Sequence, residues 1–242
     1  MFCVRKQING IFLSVLVLGL IFSSCRRKPP GTSQSPTTET ASDSSQVTLQ
    51  FSLRVNKNTY LYTDYGEPPQ LAVWLEYPNG KFYKTVFVTH RTGANDWAGK
   101  VDCPVALPIW ESRQFGQLPP TQRPDFLAAV TGATPQGGPF QVKIRVPRGS
   151  RWRYFVEVNA SGDFNAAFPY WLKNGTPDDV GNGQPSLVYS GDILAEPGKA
   201  GSPKLLGFTA QLTPVDTLRT DWDKMTTARA LISDIRVKVL TK

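Results

Sequence analysis

From Gln46 onward, apolar and polar residues alternate along the chain. Val47, Leu49, Phe51, Leu53 and Val55 are separated by Thr48, Gln50, Ser52 and Arg54. Leu71, Val73, Leu75 and Tyr77 repeat the pattern. Pro78-Asn79-Gly80 then marks a turn, and Lys81 to Val88 returns. An Asn-Gly pair between alternating runs is the strongest short-range sign of a hairpin. Val142, Ile144 and Val146 form a third alternating set, and Trp152, Tyr154, Val156 and Val158 a fourth. Leu187 to Ser190 and Leu205 to Leu212 read as strands, and Ile235, Val237 and Val239 as a last one. Alternation with charge on one face describes half-buried strands of antiparallel sheets, each hiding one face against the other. Seven or eight of them predict an all-β, immunoglobulin-like antiparallel β-sandwich over residues 46–242. At most one or two short helices are expected, the best candidate at Asp125 to Val130 after Pro124.

The pattern changes at the N-terminus. Arg5 and Lys6 precede an apolar run from Ile11 to Phe22, and Phe22-Ser23-Ser24-Cys25 follows. A basic start, a short apolar stretch and small residues before a cleavage point make a secretory signal over residues 1–24. Small residues ahead of a cysteine resemble the lipobox of bacterial lipoproteins, which implies a lipid on Cys25. Residues 26–45 contain no aromatic and no large aliphatic side chain. Such a segment buries too little apolar surface to offset its ordering entropy and reads as a tether. The expected location is the cell envelope, with the domain facing the periplasm and held to a membrane through Cys25.

Charge and cysteine use refine this. The chain carries formal net charge +8, or +6 without its first 24 residues, which hold Arg5 and Lys6 and no acid. A moderate positive field favours anionic surfaces. No nucleic-acid-binding motif is present, so a nucleic-acid partner is not expected. Cys103 is the one cysteine besides Cys3 and Cys25, and the expectation is a small buried apolar residue.

Little conventional chemistry is visible. His90 is the single histidine. A hydrolytic triad would have to use it, and no nucleophile elbow accompanies it. One histidine and one unmodified cysteine do not make a zinc site. Asp178, Asp179 and Asn182 with Gly181 and Gly183 offer clustered oxygens for a hard cation, although a polar turn explains the same residues. Residues between the hairpin and Gln141, and residues 161–184, are rich in aromatics, Pro and Gly. Loops of that length are functional or disordered, and their aromatics are expected to pack over the open ends of the sandwich.

Residues 130–135 read Val-Thr-Gly-Ala-Thr-Pro. Thr131-Gly132-Ala133-Thr134 resembles the attachment sequence of proteins that carry covalent FMN. The resemblance implies that an exported flavin transferase takes FMN from FAD and joins its phosphate to the Thr134 hydroxyl. Small neighbours let another enzyme's active site approach the backbone. The pattern carries an aspartate six places before the acceptor threonine, where this chain has Ala128. The other reading of the segment is a turn in which Gly132 supplies a special backbone angle.

Leu71 to Glu76 with Pro78-Asn79-Gly80-Lys81 and Lys84-Thr85, Leu107 to Trp110, Ala129 to Pro135, Phe155 to Asn159 and Thr226 to Arg229 together resemble a bacterial family described as predicted periplasmic protein, domain of unknown function twenty-two seventy-one. The similarity covers residues 70–240. It implies flavin transferases and extracytoplasmic redox proteins as partners. The first functional expectation is therefore a redox accessory holding FMN at Thr134. Trp97, Trp110 and the aromatics Phe164, Phe168, Tyr170 and Trp171 would cover its ring, with Arg148 and Arg151 at its phosphate. The second is a non-catalytic module that binds a partner or a glycan through the aromatic loops.

Overall fold

A computed structural model describes residues 44–99, 102, 103, 105–116, 118, 131–214 and 216–241. The expected signal peptide, Cys25, the expected tether before Ser44, Ala128 and the helix expected at 125–130 lie outside the described residues. The described strands form an all-β sandwich. β1 (Gln46–Val55), β5 (Gly138–Pro147), β8 (Ala200–Gly201) and β10 (Ile232–Leu240) make a four-stranded sheet in the order β5-β1-β10-β8. β4 (Thr131–Gly132), β3 (Phe82–Thr89), β2 (Gln70–Glu76), β6 (Arg151–Asn159), β7 (Leu187–Leu194) and β9 (Lys204–Phe208) make a six-stranded sheet in that order. All described pairings are antiparallel except β3 with β4.

The alternating residues account for the four-stranded sheet. Every second residue of β1 is buried, and Val237 and Val239 of β10 face the same interior. Opposite them lie Leu71, Val73 and Leu75 of β2 and Tyr154, Val156 and Val158 of β6. Phe51 meets Tyr154 edge-on at 5.6 Å across the two sheets. The β2–β3 hairpin turns where Asn-Gly predicts, with Gly80 at φ 83° and the Gly80 N–H donating to the Tyr77 carbonyl.

The six-stranded sheet departs from the half-buried expectation. All seven residues of β2 are buried. A second apolar layer covers the outer face, where Ala72, Trp74, Val88, Phe155 and Val188 pack against Cys103, Val105, Leu107, Ile109 and Trp110. Trp74 stacks on Phe155 at 5.0 Å and 7°. This layer includes a helix that the strand pattern does not announce. The described helices are α1 (Lys57–Tyr60), α2 (His90–Ala94) and α3 (Pro108–Phe115), one more than expected. Pro108 opens α3, where its missing N–H costs nothing. β9 ends at Phe208 rather than at Leu212, because the chain there turns to Arg219, with which Phe208 pairs. No helix among the described residues is long and apolar enough to cross a membrane.

Candidate functional site

A cleft of about 350 Å³ opens at the end of the six-stranded sheet where β2 begins and β6 ends. Asp64, Tyr65 and Glu67 of the α1–β2 loop form one wall. Arg91 of α2 and Trp97 behind it form another, and Cys103, Ser161 and Val180 close the base. The Arg91 guanidinium donates to the Glu67 carboxylate at 2.9 Å. At the floor, Gln70 Oε1 accepts from Thr89 Oγ1 at 2.7 Å and from Thr92 Oγ1 at 3.1 Å. Those bonds tie the start of β2 to the end of β3 and to α2. A cleft of this size with two aromatic walls and a few fixed polar groups suits a small ligand.

The Thr131–Thr134 segment leaves the sheet at the same end. β4 runs beside β3, with Thr131 opposite Val88 and Gly132 opposite Thr89. Thr89 stands between Gly132 and Gln70, so Gly132 lies two strand spacings, about 10 Å, from the cleft floor. Gly132 does not adopt a positive φ, which corrects the expectation of a special backbone angle. Glycine is required there by close packing. A Cβ would sit 2.5 Å from Cε2 of Phe87. Beyond β4 the chain is irregular as far as β5. Ala133 is exposed and Thr134 half-buried. The Thr134 hydroxyl has no hydrogen-bond partner among the described residues, while its carbonyl accepts from Gln136 Nε2 at 3.0 Å. Tyr60 Oη donates to the Gln136 carbonyl and fastens the far side of the loop. Ala133 and Thr134 thus lie between β4 on one side and the tyrosine clamp on the other.

Several expected participants lie elsewhere. Arg148 and Arg151 flank the turn after β5, separated from Thr134 by the whole of β5, about 30 Å of strand. They cannot reach a phosphate on Thr134. Trp110 is fully buried in the second apolar layer, and Phe168 in the main core. Both are packing residues. Of the expected aromatics only Trp97 lines the cleft. Phe164, Tyr170 and Trp171 form an edge-to-face chain at 5.3 Å steps, with Trp171 65% exposed. Tyr65 was not anticipated. Its phenol is pushed upward by its own burial and then by the Asp178 carboxylate. The signal for Tyr65, a Tyr-Gly pair in a short Pro-rich loop, is too common to single out.

Cys103 is buried as expected, and burial pushes its thiol up to about 12. Burial thus disfavours the thiolate, the reactive form of the group. His90 Nε2 lies 3.2 Å from Asp96 Oδ2 at an exposed position opening α2. Asp178 and Asn182 are buried in hydrogen bonds within the protein. Asp178 Oδ2 accepts from the Gly183 N–H at 3.0 Å and from Gln211 at 2.8 Å, and Asn182 Oδ1 accepts from Asn159 at 2.6 Å. Asp179 is exposed. Among the described residues no three His, Cys, Asp or Glu side chains gather as metal ligands. Asp178 Oδ1 is buried without a hydrogen-bond partner among the described residues.

No family profile matches the chain, and neither a curated protein nor a solved structure is similar to it.

Proposed function

We propose that this protein is an exported, lipid-anchored redox accessory that carries FMN covalently on Thr134. The observation that carries the reading is the Thr134 hydroxyl, without a hydrogen-bond partner among the described residues, on a loop fastened by Tyr60 at the same end of the sheet as the cleft. The donor set suits the group. Thr134 is half-buried, Ala133 beside it leaves room, and Tyr65 and Trp97 line the cleft at the same end of the sheet. In the attachment step the Thr134 Oγ–P bond forms as the FAD pyrophosphate bond breaks, AMP leaves, and the hydroxyl proton passes to the transferase. Bound FMN would supply one- or two-electron chemistry, while the chain supplies attachment, placement and shielding. Membership of the periplasmic family and acylation of Cys25 belong to the same proposal, supported by the residues that resemble the family and the lipobox.

The test is to produce the exported chain together with a flavin transferase and look for flavin fluorescence on a denaturing gel. A fluorescent band that Thr134→Ala abolishes and Thr131→Ala keeps is the expected result. A dark band of unmodified mass overturns the proposal.

A second reading, a glycan- or partner-binding module, is favoured by one observation, the exposed Tyr170–Trp171 pair. Exposed aromatics in a loop mark contact surfaces. Retention on a glycan resin that Trp171→Ala removes would support it. No retention would leave the aromatics as loop packing.

A further inference from the structure

The outer face of the four-stranded sheet is polar and mostly basic. β1 runs through its middle and turns Thr48, Gln50 and Ser52 outward. On one side β5 exposes Lys143 and Arg145, and on the other β10 exposes Arg236 and Lys238. The register aligns them in rows. Gln50 lies opposite both Lys143 and Lys238, and Ser52 opposite Arg236. The two lysines of the Gln50 row therefore sit two strand spacings, about 10 Å, apart. Arg54 also faces outward, and it alone meets the acid of this face, Asp234, at 3.7 Å. Lys143, Arg236 and Lys238 have no ion-pair partner among the described residues.

We propose that this face docks on an anionic lipid surface, with Lys143, Arg236 and Lys238 meeting headgroup phosphates. Charge complementarity carries the choice of partner. Cations aligned by the register on one sheet face match a surface of anionic headgroups, and each cation near such a surface adds to attachment. No outward position of these strands carries an aromatic side chain on which a nucleic-acid base would stack. The chain outside the described residues points the same way. It enters at Gln46, in the central strand of this face, and Arg26, Arg27 and Lys28 follow Cys25. The source of the surface rests on the lipoprotein reading, but the docking face does not. The cleft is walled by loops of the other sheet and stays clear of the contact.

The test uses the full chain and vesicles of neutral lipid alone or with added phosphatidylglycerol. Binding to neutral vesicles reports the N-terminal segment, and the gain on anionic vesicles reports the face together with Arg26, Arg27 and Lys28. That gain is expected to fall by on the order of a hundredfold in the triple variant Lys143→Glu, Arg236→Glu, Lys238→Glu, and to shrink with added salt. Lys84→Glu, Lys173→Glu, Lys204→Glu changes net charge equally at exposed sites outside this sheet, and it should retain most of the gain. Three results overturn the proposal: no gain on anionic vesicles, equal loss in both triple variants, or tighter binding to a DNA duplex than to anionic vesicles at the same salt. Loss of neutral-vesicle binding alone would count against the lipoprotein reading and leave the docking face standing.

Discussion

Glu157 is the most perturbed carboxyl among the described residues. It is fully buried beneath the first turn of α3, and desolvation raises its pKa to about 7 from 4.5. Hydrogen bonds oppose that rise. Its oxygens accept from Ser186 Oγ at 2.6 Å, from the Trp110 N–H at 2.7 Å and from the Ile109 N–H at 3.3 Å. Two of those donors are amides that a helix start leaves unpaired, so the carboxyl caps α3 from the sheet below. Below pH 4.5 both folded and unfolded chains hold the proton. Between there and pH 7 the unfolded chain releases it first, so stability falls as pH rises. The loss is on the order of 3 kcal/mol and is complete above the folded value. Glu157→Gln should flatten this part of the profile. Urea midpoints of both proteins at about pH 5 and pH 8 check it, and parallel slopes would show that the carboxyl does not titrate as described. Asp163 shifts in the same direction through burial and is common to both proteins. At this scale the sequence is a partial guide. The small residues of Thr131–Thr134 can be read directly. The close approach of Phe87 to Gly132 cannot, because the two meet only when β4 lies against β3.

At the scale of elements, α3 joins the six-stranded sheet through side chains that strand periodicity does not reveal. Trp110 Nε1 donates to Thr85 Oγ1 at 3.0 Å, and Thr85 Oγ1 donates to Gln114 Oε1 at 2.7 Å. The helix thereby seals the face that carries Trp74 and Phe155. Truncating the fully buried Trp110 to Ala should cost about 3–5 kcal/mol and open that layer. The expected signature is a lower urea midpoint with altered near-UV circular dichroism. Unchanged values would mean the layer contributes little. The strands with clean alternation, β1 and β10, were legible because one face meets the core and the other water. In β2 the alternation Leu71, Val73, Leu75 is equally clean, yet the residues between are also buried. Ala72 and Trp74 are apolar too, and that double coverage is the trace a sequence leaves. Pro108 followed by Ile109 and Trp110 was the trace of α3. It is short, and a Pro-rich loop contains similar groups by chance.

At the scale of the whole molecule, two apolar layers share one sheet. β2 and β6 are covered on both faces, whereas β8 and β9 lie at sheet margins. Backbone amides in β2 and β6 should therefore exchange last and those in β8 and β9 first, when hydrogen exchange is followed by mass spectrometry or NMR. Uniform protection across the six-stranded sheet would contradict this layering. By itself the sequence determined the eight longer strands, the hairpin, the sandwich class and the candidate motif, because each follows from local periodicity or neighbouring residues, whereas the two-residue strands β4 and β8 leave no such pattern. Only the tertiary structure decided which strands are neighbours, which face α3 covers, and that the Thr134 loop shares an end of the sheet with the Tyr65–Trp97 cleft. It also moved Arg148, Arg151 and Trp110 out of any such site. Those outcomes depend on pairings between residues far apart in the chain, which alternation constrains in phase but not in partner.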